Sequence, residues 1–131
     1  MKHFTVVAAI IINNNEILCV QRKESKYPYI SRKFEFPGGK IEEGETEVEA
    51  LTREIREELD MEIEVGDKFI TVTHAYPDFS ITMHCYLCKS ISRILELREH
   101  IDLRWLGKDH LSDLDWAEAD VPIAAKLREM R

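Results

Sequence analysis

Hydrophobic positions along the chain change their period several times, which predicts strands interleaved with two helices. Stretches with strand patterning are residues 3–12, 16–22, 33–36, 62–75, 79–89, 91–97 and 103–106. The first two strands are expected to form a hairpin through an asparagine turn, and a further turn is expected at Gly66-Asp67. This order of elements predicts an α+β fold, a sandwich in which a mixed β-sheet lies between helices.

The longer helical pattern begins after Thr46, which forms a capping box with Glu49. Its apolar stripe should pack on the sheet and comprises Val48, Leu51, Ile55 and Leu59. A helical turn is predicted at residues 108–114, and a second helix at residues 117–130 accommodates Pro122 in its first turn. The packed side of this second helix is expected to comprise Val121, Ala124, Ala125 and Leu127.

Three carboxylates lie in one arc beside the apolar stripe of the first helix. Glu54, Glu57 and Glu58 are spaced i, i+3 and i+4, so they would repel one another on an isolated helix. Hard oxygen ligands crowded in this way suit Mg²⁺, with Mn²⁺ as the alternative cation. The Gly38-Gly39 turn before the helix would let the backbone approach a metal ion or a phosphate. An acidic, solvated helix face is the competing interpretation.

Composition limits the classes of partner. The chain has 131 residues and a net charge of −7, which fits one domain, residues 1–131, and disfavours a non-specific nucleic-acid surface. A small-molecule partner is therefore expected rather than a nucleic-acid polymer. No apolar stretch is long enough to span a membrane, and the apolar run near the N-terminus is interpreted as a buried strand rather than a signal peptide. The oligomeric state, monomer or homodimer, stays open.

The three cysteines predict a cytoplasmic protein. Their number is odd and their spacing forms no disulfide framework, which is typical of a reducing compartment. Cys85 and Cys88 form a C-x-x-C pair, but in a strand these two positions point to opposite faces of the sheet. We therefore interpret both as small buried hydrophobic residues.

The segment from Gly38 to Met61, GGKIEEGETEVEALTREIREELDM, resembles the Nudix box, GX5EX7REUXEEXGU, in which U is a bulky aliphatic residue. The positions that match are Gly39, Glu45, Arg53, Glu54, Ile55, Glu57, Glu58 and Met61. Asp60 stands where the family has glycine, just past the predicted helix end, and aspartate enters the left-handed region more easily than most residues. The resemblance implies a Nudix-type α/β/α sandwich.

The same resemblance implies the chemistry, which is hydrolysis of a nucleoside diphosphate linked to another group. The metal ligands would be Glu54, Glu57, Glu58 and the carbonyl oxygen of Gly38, and Arg53 would hold the carboxylates in place. Glu45 would brace the junction between loop and helix beside Gly39. Lys40 is a candidate phosphate contact, with a solvated lysine as the alternative.

The resemblance to MutT-like members of the family continues outside the box. FPGGKIEEGET is very similar to the corresponding run, Arg22 matches an arginine near the substrate, and Glu99 matches a further glutamate near the metals, an additional ligand or the general base. Ala119-Asp120-Val121-Pro122 resembles the ADIP segment of bacterial CTP pyrophosphohydrolases. Asp120 is thus a candidate base contact, with a helix-terminal acid as the alternative.

These resemblances imply Mg²⁺-dependent hydrolysis of a nucleoside triphosphate to a monophosphate and pyrophosphate, in the sanitation of nucleotide pools. Candidate substrates are CTP, dCTP and an oxidised or modified deoxynucleotide. An ionised Asp120 would favour cytosine, whose amine donates, over uracil. Tyr76 and Phe79 are candidates for stacking on the base, or for simple packing. The alternatives are another nucleoside diphosphate compound, such as ADP-ribose or a dinucleoside polyphosphate, and a non-catalytic nucleotide-binding module.

Overall fold

The computed structural model of the protein describes residues 1–130, and it contains seven strands and two α-helices in that part of the chain. The strands are β1 (Lys2–Asn13), β2 (Glu16–Arg22), β3 (Phe34–Glu35), β4 (Gly38–Lys40), β5 (Glu64–Ala75), β6 (Phe79–Lys89) and β7 (His100–Leu106). The helices are α1 (Glu47–Leu59) and α2 (Val121–Glu129), and 3-10 helices lie at Lys108–Asp113 and Glu118–Asp120. No helix within residues 1–130 has both the length and the apolar character to cross a membrane.

The sheet is mixed, as predicted. Its strand order is β3-β2-β1-β6-β5, with β4 paired to β1 and β7 paired to β2. β1 runs parallel to β6 and antiparallel to β2 and β4, and β5 runs antiparallel to β6. Gly38 and Gly39, which were expected to form a turn, instead belong to strand β4, because Gly38 pairs with Ala8 and Gly39 with Val7 in the middle of β1.

Hydrophobic cores lie on both faces of the sheet, because the central strand alternates between them. Ile11 and Leu18 pack with α1 on one face, whereas Ile10 and Cys19 pack with α2 on the other. Cys85 and Cys88 belong to opposite cores, and both are free and buried, as the strand period predicts.

Helix α1 begins and ends as its sequence predicts. Thr46 is the N-cap and exchanges both bonds of a capping box with Glu49. Asp60 ends the helix in the left-handed region, with φ of 52°. The buried positions are Ala50, Leu51, Ile55 and Leu59. Val48 is 44% exposed, so its assignment to the packed stripe was wrong. It lies in the first turn, before the helix reaches the sheet core.

Two other predictions about elements are corrected. The turn expected at Gly66-Asp67 is an irregularity inside β5, where the register with β6 shifts. Residues 91–97 form no strand. Arg93 instead ties this loop to Asn13 and Glu16 at the β1–β2 turn.

The packed side of α2 also differs from the prediction. Ile123, Ala124 and Leu127 are buried, whereas Val121 and Ala125 are exposed. The pattern is displaced because a 3-10 helix occupies Glu118–Asp120 and the α-helix begins only at Val121.

Candidate active site

The two glycines before α1 are required by close contacts rather than by unusual backbone angles. A Cβ atom on Gly38 would lie 1.9 Å from the carbonyl oxygen of Val7, which belongs to β1. A Cβ atom on Gly39 would lie 2.5 Å from the carboxyl carbon of Glu54. Strand β4 can therefore lie against the backbone of β1 and against the Glu54 carboxylate in this position because neither glycine has a side chain.

Arg53 organises the box carboxylates. Its guanidinium donates two hydrogen bonds to Glu45, at 2.7 Å to Oε2 and 2.9 Å to Oε1. Its Nη1 donates to Glu54 Oε1 at 2.9 Å and to Glu57 Oε2 at 3.1 Å, and its Nη2 donates to the carbonyl oxygen of Lys40 at 3.1 Å. The hydrogen bonds from Arg53 lower the pKa of Glu45. Glu45 also accepts the Glu42 N–H, so it ties the loop to the helix.

The three candidate ligands differ strongly in exposure. The side chain of Glu57 is 60% exposed, whereas that of Glu54 is only 15% exposed, beside Gly39. Glu58 Oε2 is buried and has no hydrogen-bond partner within residues 1–130. α1 turns Glu58 inward against strand β4, so the three carboxylates that share one arc of the helix are not equally exposed.

Burial raises the pKa of Glu58 to about 9, and the nearby carboxylates of Glu35, Glu54 and Glu99 add to the effect. The backbone of Gly38 acts in the opposite direction. Burial also raises the pKa of Glu54, although its bond to Arg53 opposes this. Carboxylates that repel one another in a buried place favour either protonation or a bound cation.

The donor set at the box fits a divalent cation. No three acidic, histidine or cysteine side chains of residues 1–130 surround one point as a complete ligand set. Arg53 Nη1 draws one oxygen each of Glu54 and Glu57 to itself, which leaves their second oxygens free of Arg53. These oxygens and the unpaired Glu58 Oε2 are hard donors of the kind that Mg²⁺ and Mn²⁺ prefer.

A polar cavity of about 290 Å³ adjoins the box. Glu58 and Glu99 line it together with His100 and the basic residues Arg22 and Lys23. Glu99 precedes β7 in an exposed loop, and its charge reaches Glu58. The sequence-predicted Glu99 and Glu58 thus meet in one cavity, although forty residues separate them in the chain.

A larger cavity, of about 500 Å³, lies on the other side of Glu58. Arg22, Ser25, Glu35 and Glu58 line both cavities and form their common wall. The rest of the larger cavity is mainly apolar or aromatic, with Ile30, Phe36, Tyr76, Phe79, Ile81 and Met83 among its walls. Its volume is that of a small-molecule site.

Asp120 is the buried acid of the larger cavity. It is 4% exposed, and its Oδ1 accepts the Phe36 N–H at 3.0 Å. Asp120 is the N-cap residue of α2, but its side chain makes no capping hydrogen bond to that helix. Burial raises the pKa of Asp120 well above its usual value, and the charge of Glu35 acts in the same direction.

The predicted aromatic residues lie at one end of the larger cavity. Tyr76 is 5% exposed, and its hydroxyl accepts the Ala119 N–H at 3.0 Å. Its ring stacks on Tyr29 with centroids 5.2 Å apart, so much of the ring serves packing. Phe79 is only half-buried and lines the cavity, as does Tyr27, which lies 5.6 Å from the Phe79 ring.

Lys40 lies at the exposed edge of the larger cavity. Its Nζ is 4.2 Å from the centroid of the Phe4 ring, a cation–π contact. Arg22 lies deeper, with its Nη1 bonded to Glu35 Oε1 at 3.0 Å.

The sequence analysis did not identify Glu35, His100 or Tyr27. Glu35 is a charged residue between Phe34 and Phe36 in a short strand, and His100 follows the predicted Glu99 directly. These two sequence positions were the only features that could have pointed to Glu35 and His100 as site residues. Their meeting, however, depends on pairing of β2 with both β3 and β7, which sequence spacing does not reveal.

Comparison with known proteins agrees with this geometry. A family model described as the NUDIX domain matches residues 6–126. The CTP pyrophosphohydrolase of Escherichia coli strain K12 is 32% identical over 131 residues, which cover 100% of this chain and 96% of that protein. The 8-oxo-dGTP diphosphatase of the same organism is also 32% identical over 131 residues, covering 99% of this chain and all of that protein.

Solved structures show the same similarity. The solution structure of MutT from methicillin-resistant Staphylococcus aureus 252 is 42% identical with a TM-score of 0.75, covering 99% of this chain and 100% of that one. The solution structure of the Escherichia coli ORF135 protein is 31% identical with a TM-score of 0.82, covering 98% of this chain and 91% of that one. The chain, with its box glycines, arginine and carboxylates in place, therefore belongs to the Nudix family as a MutT-like Nudix hydrolase.

Proposed function

We propose that this protein hydrolyses a nucleoside triphosphate to a nucleoside monophosphate and pyrophosphate in the presence of Mg²⁺. The observation that carries the proposal is the common wall between the two cavities. A largely apolar cavity of about 500 Å³ suits a base and sugar, and the adjoining polar cavity is lined by the box carboxylate Glu58. Relatives named for CTP and for 8-oxo-dGTP support a triphosphate substrate.

We propose Glu54, Glu57, Glu58 and the carbonyl oxygen of Gly38 as the residues that hold Mg²⁺. Bound there, the cation would offset the charge of the pyrophosphate and lower the pKa of a bound water. Glu58 must lose its proton to serve as a ligand, because its pKa of about 9 keeps it neutral near pH 7. A cation supplies the positive charge that the buried Glu58 lacks among its protein neighbours.

Arg53 and Glu45 set the geometry of the ligands. The paired hydrogen bonds between them fix the guanidinium plane, and Nη1 then orients one oxygen of Glu54 and one of Glu57. Glu99 lines the polar cavity together with Glu58. We assign it the role of accepting the proton from the attacking water, or of an additional ligand.

Asp120 would contact the base. Its Oδ1 is engaged by Phe36 N–H, so its other oxygen is the one available to a nucleotide in the larger cavity. The raised pKa changes the expectation drawn from sequence, because a neutral carboxyl group can donate a hydrogen bond as well as accept one. Preference for cytosine over uracil should then grow as pH rises and Asp120 ionises.

A substrate panel tests the proposal. Wild-type protein with Mg²⁺ should convert one or more of CTP, dCTP, dGTP and 8-oxo-dGTP to the monophosphate, and phosphorus NMR should detect pyrophosphate as the coproduct. UTP, ADP-ribose and a dinucleoside polyphosphate complete the panel. Release of orthophosphate, or cleavage of ADP-ribose with no triphosphate turned over, would contradict the proposal.

A further inference from the structure

Glu35 is held from two sides by residues of neighbouring strands. Arg22 of β2 donates from Nη1 to Glu35 Oε1 at 3.0 Å. His100 of β7 places its Nε2 at 2.9 Å from Glu35 Oε2. Arg22 and His100 are cross-strand partners, next to a register shift in β2, so the three side chains converge from β2, β3 and β7. The His100 side chain is only 4% exposed.

The position of the proton between His100 and Glu35 follows from the charge of Glu35. Burial alone would raise the pKa of Glu35, but the hydrogen bond to His100 and the charge of Arg22 lower it overall, so Glu35 is ionised. An ionised carboxylate only accepts hydrogen bonds, so His100 Nε2 must carry the proton. His100 Nδ1 is buried without a hydrogen-bond partner within residues 1–130. The ring therefore uses its Nε2–H to hold Glu35.

The position of Glu35 matters at both ends of the site. Arg22 and Glu35 form part of the wall common to the two cavities. The charge of Glu35 raises the pKa of Glu58 on the metal side and of Asp120 on the base side. Loss of the bond from His100 would free one oxygen of Glu35, and Arg22 would lose its fixed partner.

We propose that His100 is a positioning residue whose Nε2–H bond to Glu35 fixes the Arg22 guanidinium at the junction between base and phosphates. The inference rests on the proposed function, because it takes the two cavities as the base and phosphate sites. In this role Arg22 would contact the bound substrate equally in the ground state and in the transition state. A misplaced Arg22 should therefore raise KM and leave kcat nearly unchanged.

The first test compares three variants with the triphosphate that the panel identifies as preferred. His100→Leu removes the donor and should raise KM about tenfold with kcat within about twofold of wild type. His100→Gln keeps an N–H donor near the place of Nε2 and should recover most of the loss. His110→Leu, at a 69%-exposed histidine, is the matched control and should behave as wild type. An unchanged KM in His100→Leu would overturn the proposal, even if the protein is less stable to heat.

A double-mutant cycle separates positioning from general structural damage. In a Glu35→Ala background, His100→Leu should change KM by less than twofold, since the acceptor of the Nε2–H bond is already absent. Additive effects would overturn the proposal. Failure of unmodified enzyme to turn over any triphosphate would instead overturn the proposed function.

A second readout needs no nucleotide. Nitrogen-15 NMR of the free protein should show the His100 ring protonated at Nε2 near neutral pH, and Glu35→Gln should shift that signal. A ring protonated only at Nδ1 would overturn the positioning proposal whatever the activity measurements give.

Discussion

The box end of the site and the base end are built in opposite ways. At the box end, Glu45, Arg53, Glu54 and Glu57 lie within one loop and one helix and bind each other through short ionic hydrogen bonds. At the base end, Asp120 meets Phe36 across a separation of 84 residues, inside an apolar cavity. The first region can be inferred from local spacing, whereas the second exists only after the sheet has assembled.

The two ends also differ in how the protein shifts the pKa values of their carboxyl groups. Hydrogen bonds from Arg53 lower the pKa of Glu45 at the box end, whereas burial raises the pKa of Glu58 and of Asp120. We therefore expect the box end to control the rate for every nucleotide. The base end should control which nucleotide is chosen.

Glu57→Gln should lower kcat about a thousandfold, which corresponds to about 4 kcal/mol of lost transition-state stabilisation. Glu57 is 60% exposed, so the substitution should leave the fold and its thermal stability intact. Steady-state kinetics at saturating Mg²⁺ measures the loss. The matched control is Glu43→Gln, an exposed loop residue that should retain wild-type activity. Near-normal turnover by Glu57→Gln would remove Glu57 from the ligand set.

Glu99→Gln should lower kcat about a hundredfold, the lower range for loss of a general base, and should flatten the acid side of the pH–rate profile. The residue lies in an exposed loop, so stability should not change. A pH–rate profile of kcat for wild type and variant is the measurement. Unaltered turnover across the pH range would leave water activation to the box glutamates.

Glu58→Gln should abolish activity yet stabilise the metal-free protein at high pH. The pKa of Glu58 is raised from 4.5 to about 9 on folding. Between those values the folded state binds a proton that the unfolded state lacks, so wild-type stability falls as pH rises. Gln cannot ionise, and at pH 9 it should raise the free energy of unfolding by about 1–3 kcal/mol, the cost of an unsatisfied buried group.

Urea titrations of metal-free wild type, Glu58→Gln and the Glu43→Gln control, at pH 5 and pH 9, measure this effect. The difference in free energy of unfolding between Glu58→Gln and wild type should be small at pH 5. At pH 9 this difference should shrink when Mg²⁺ is added to both proteins. Parallel pH dependence of wild type and Glu58→Gln would contradict the burial of Glu58 in an ionisable form.

The two ends also differed in how far sequence alone could predict them. The capping box at Thr46, the left-handed Asp60 and the mixed sheet all follow from local patterns, and the structure confirms them. The inward position of Glu58 could not be predicted, because helical spacing places it beside Glu54 and says nothing about strand β4, against which it lies.

Long-range pairing explains the residues that were missed. Glu35 and His100 are 65 positions apart in the sequence and meet only because β2 pairs with both β3 and β7. Residues 91–97 have strand-like composition, yet Arg93 holds them as a loop through contacts with the first hairpin. In each case a tertiary contact outweighs the local pattern.

The smallest expected effect is the most direct test of the division between the two ends. The measurement is the ratio of kcat/KM for CTP to that for UTP in wild type, Asp120→Asn and Glu57→Gln, followed upward in pH over the range in which the proteins stay folded. Asp109→Asn, an exposed aspartate, is the matched control for the base end. In wild type the ratio should rise with pH as Asp120 ionises, because two facing acceptors reject uracil at a cost of about 1–3 kcal/mol.

Asp120→Asn should remove that rise and keep the wild-type dependence on Mg²⁺, whereas Glu57→Gln should lower both rates and leave the ratio unchanged. The proposed division between the two ends would be contradicted if Glu57→Gln changed this ratio and Asp120→Asn did not.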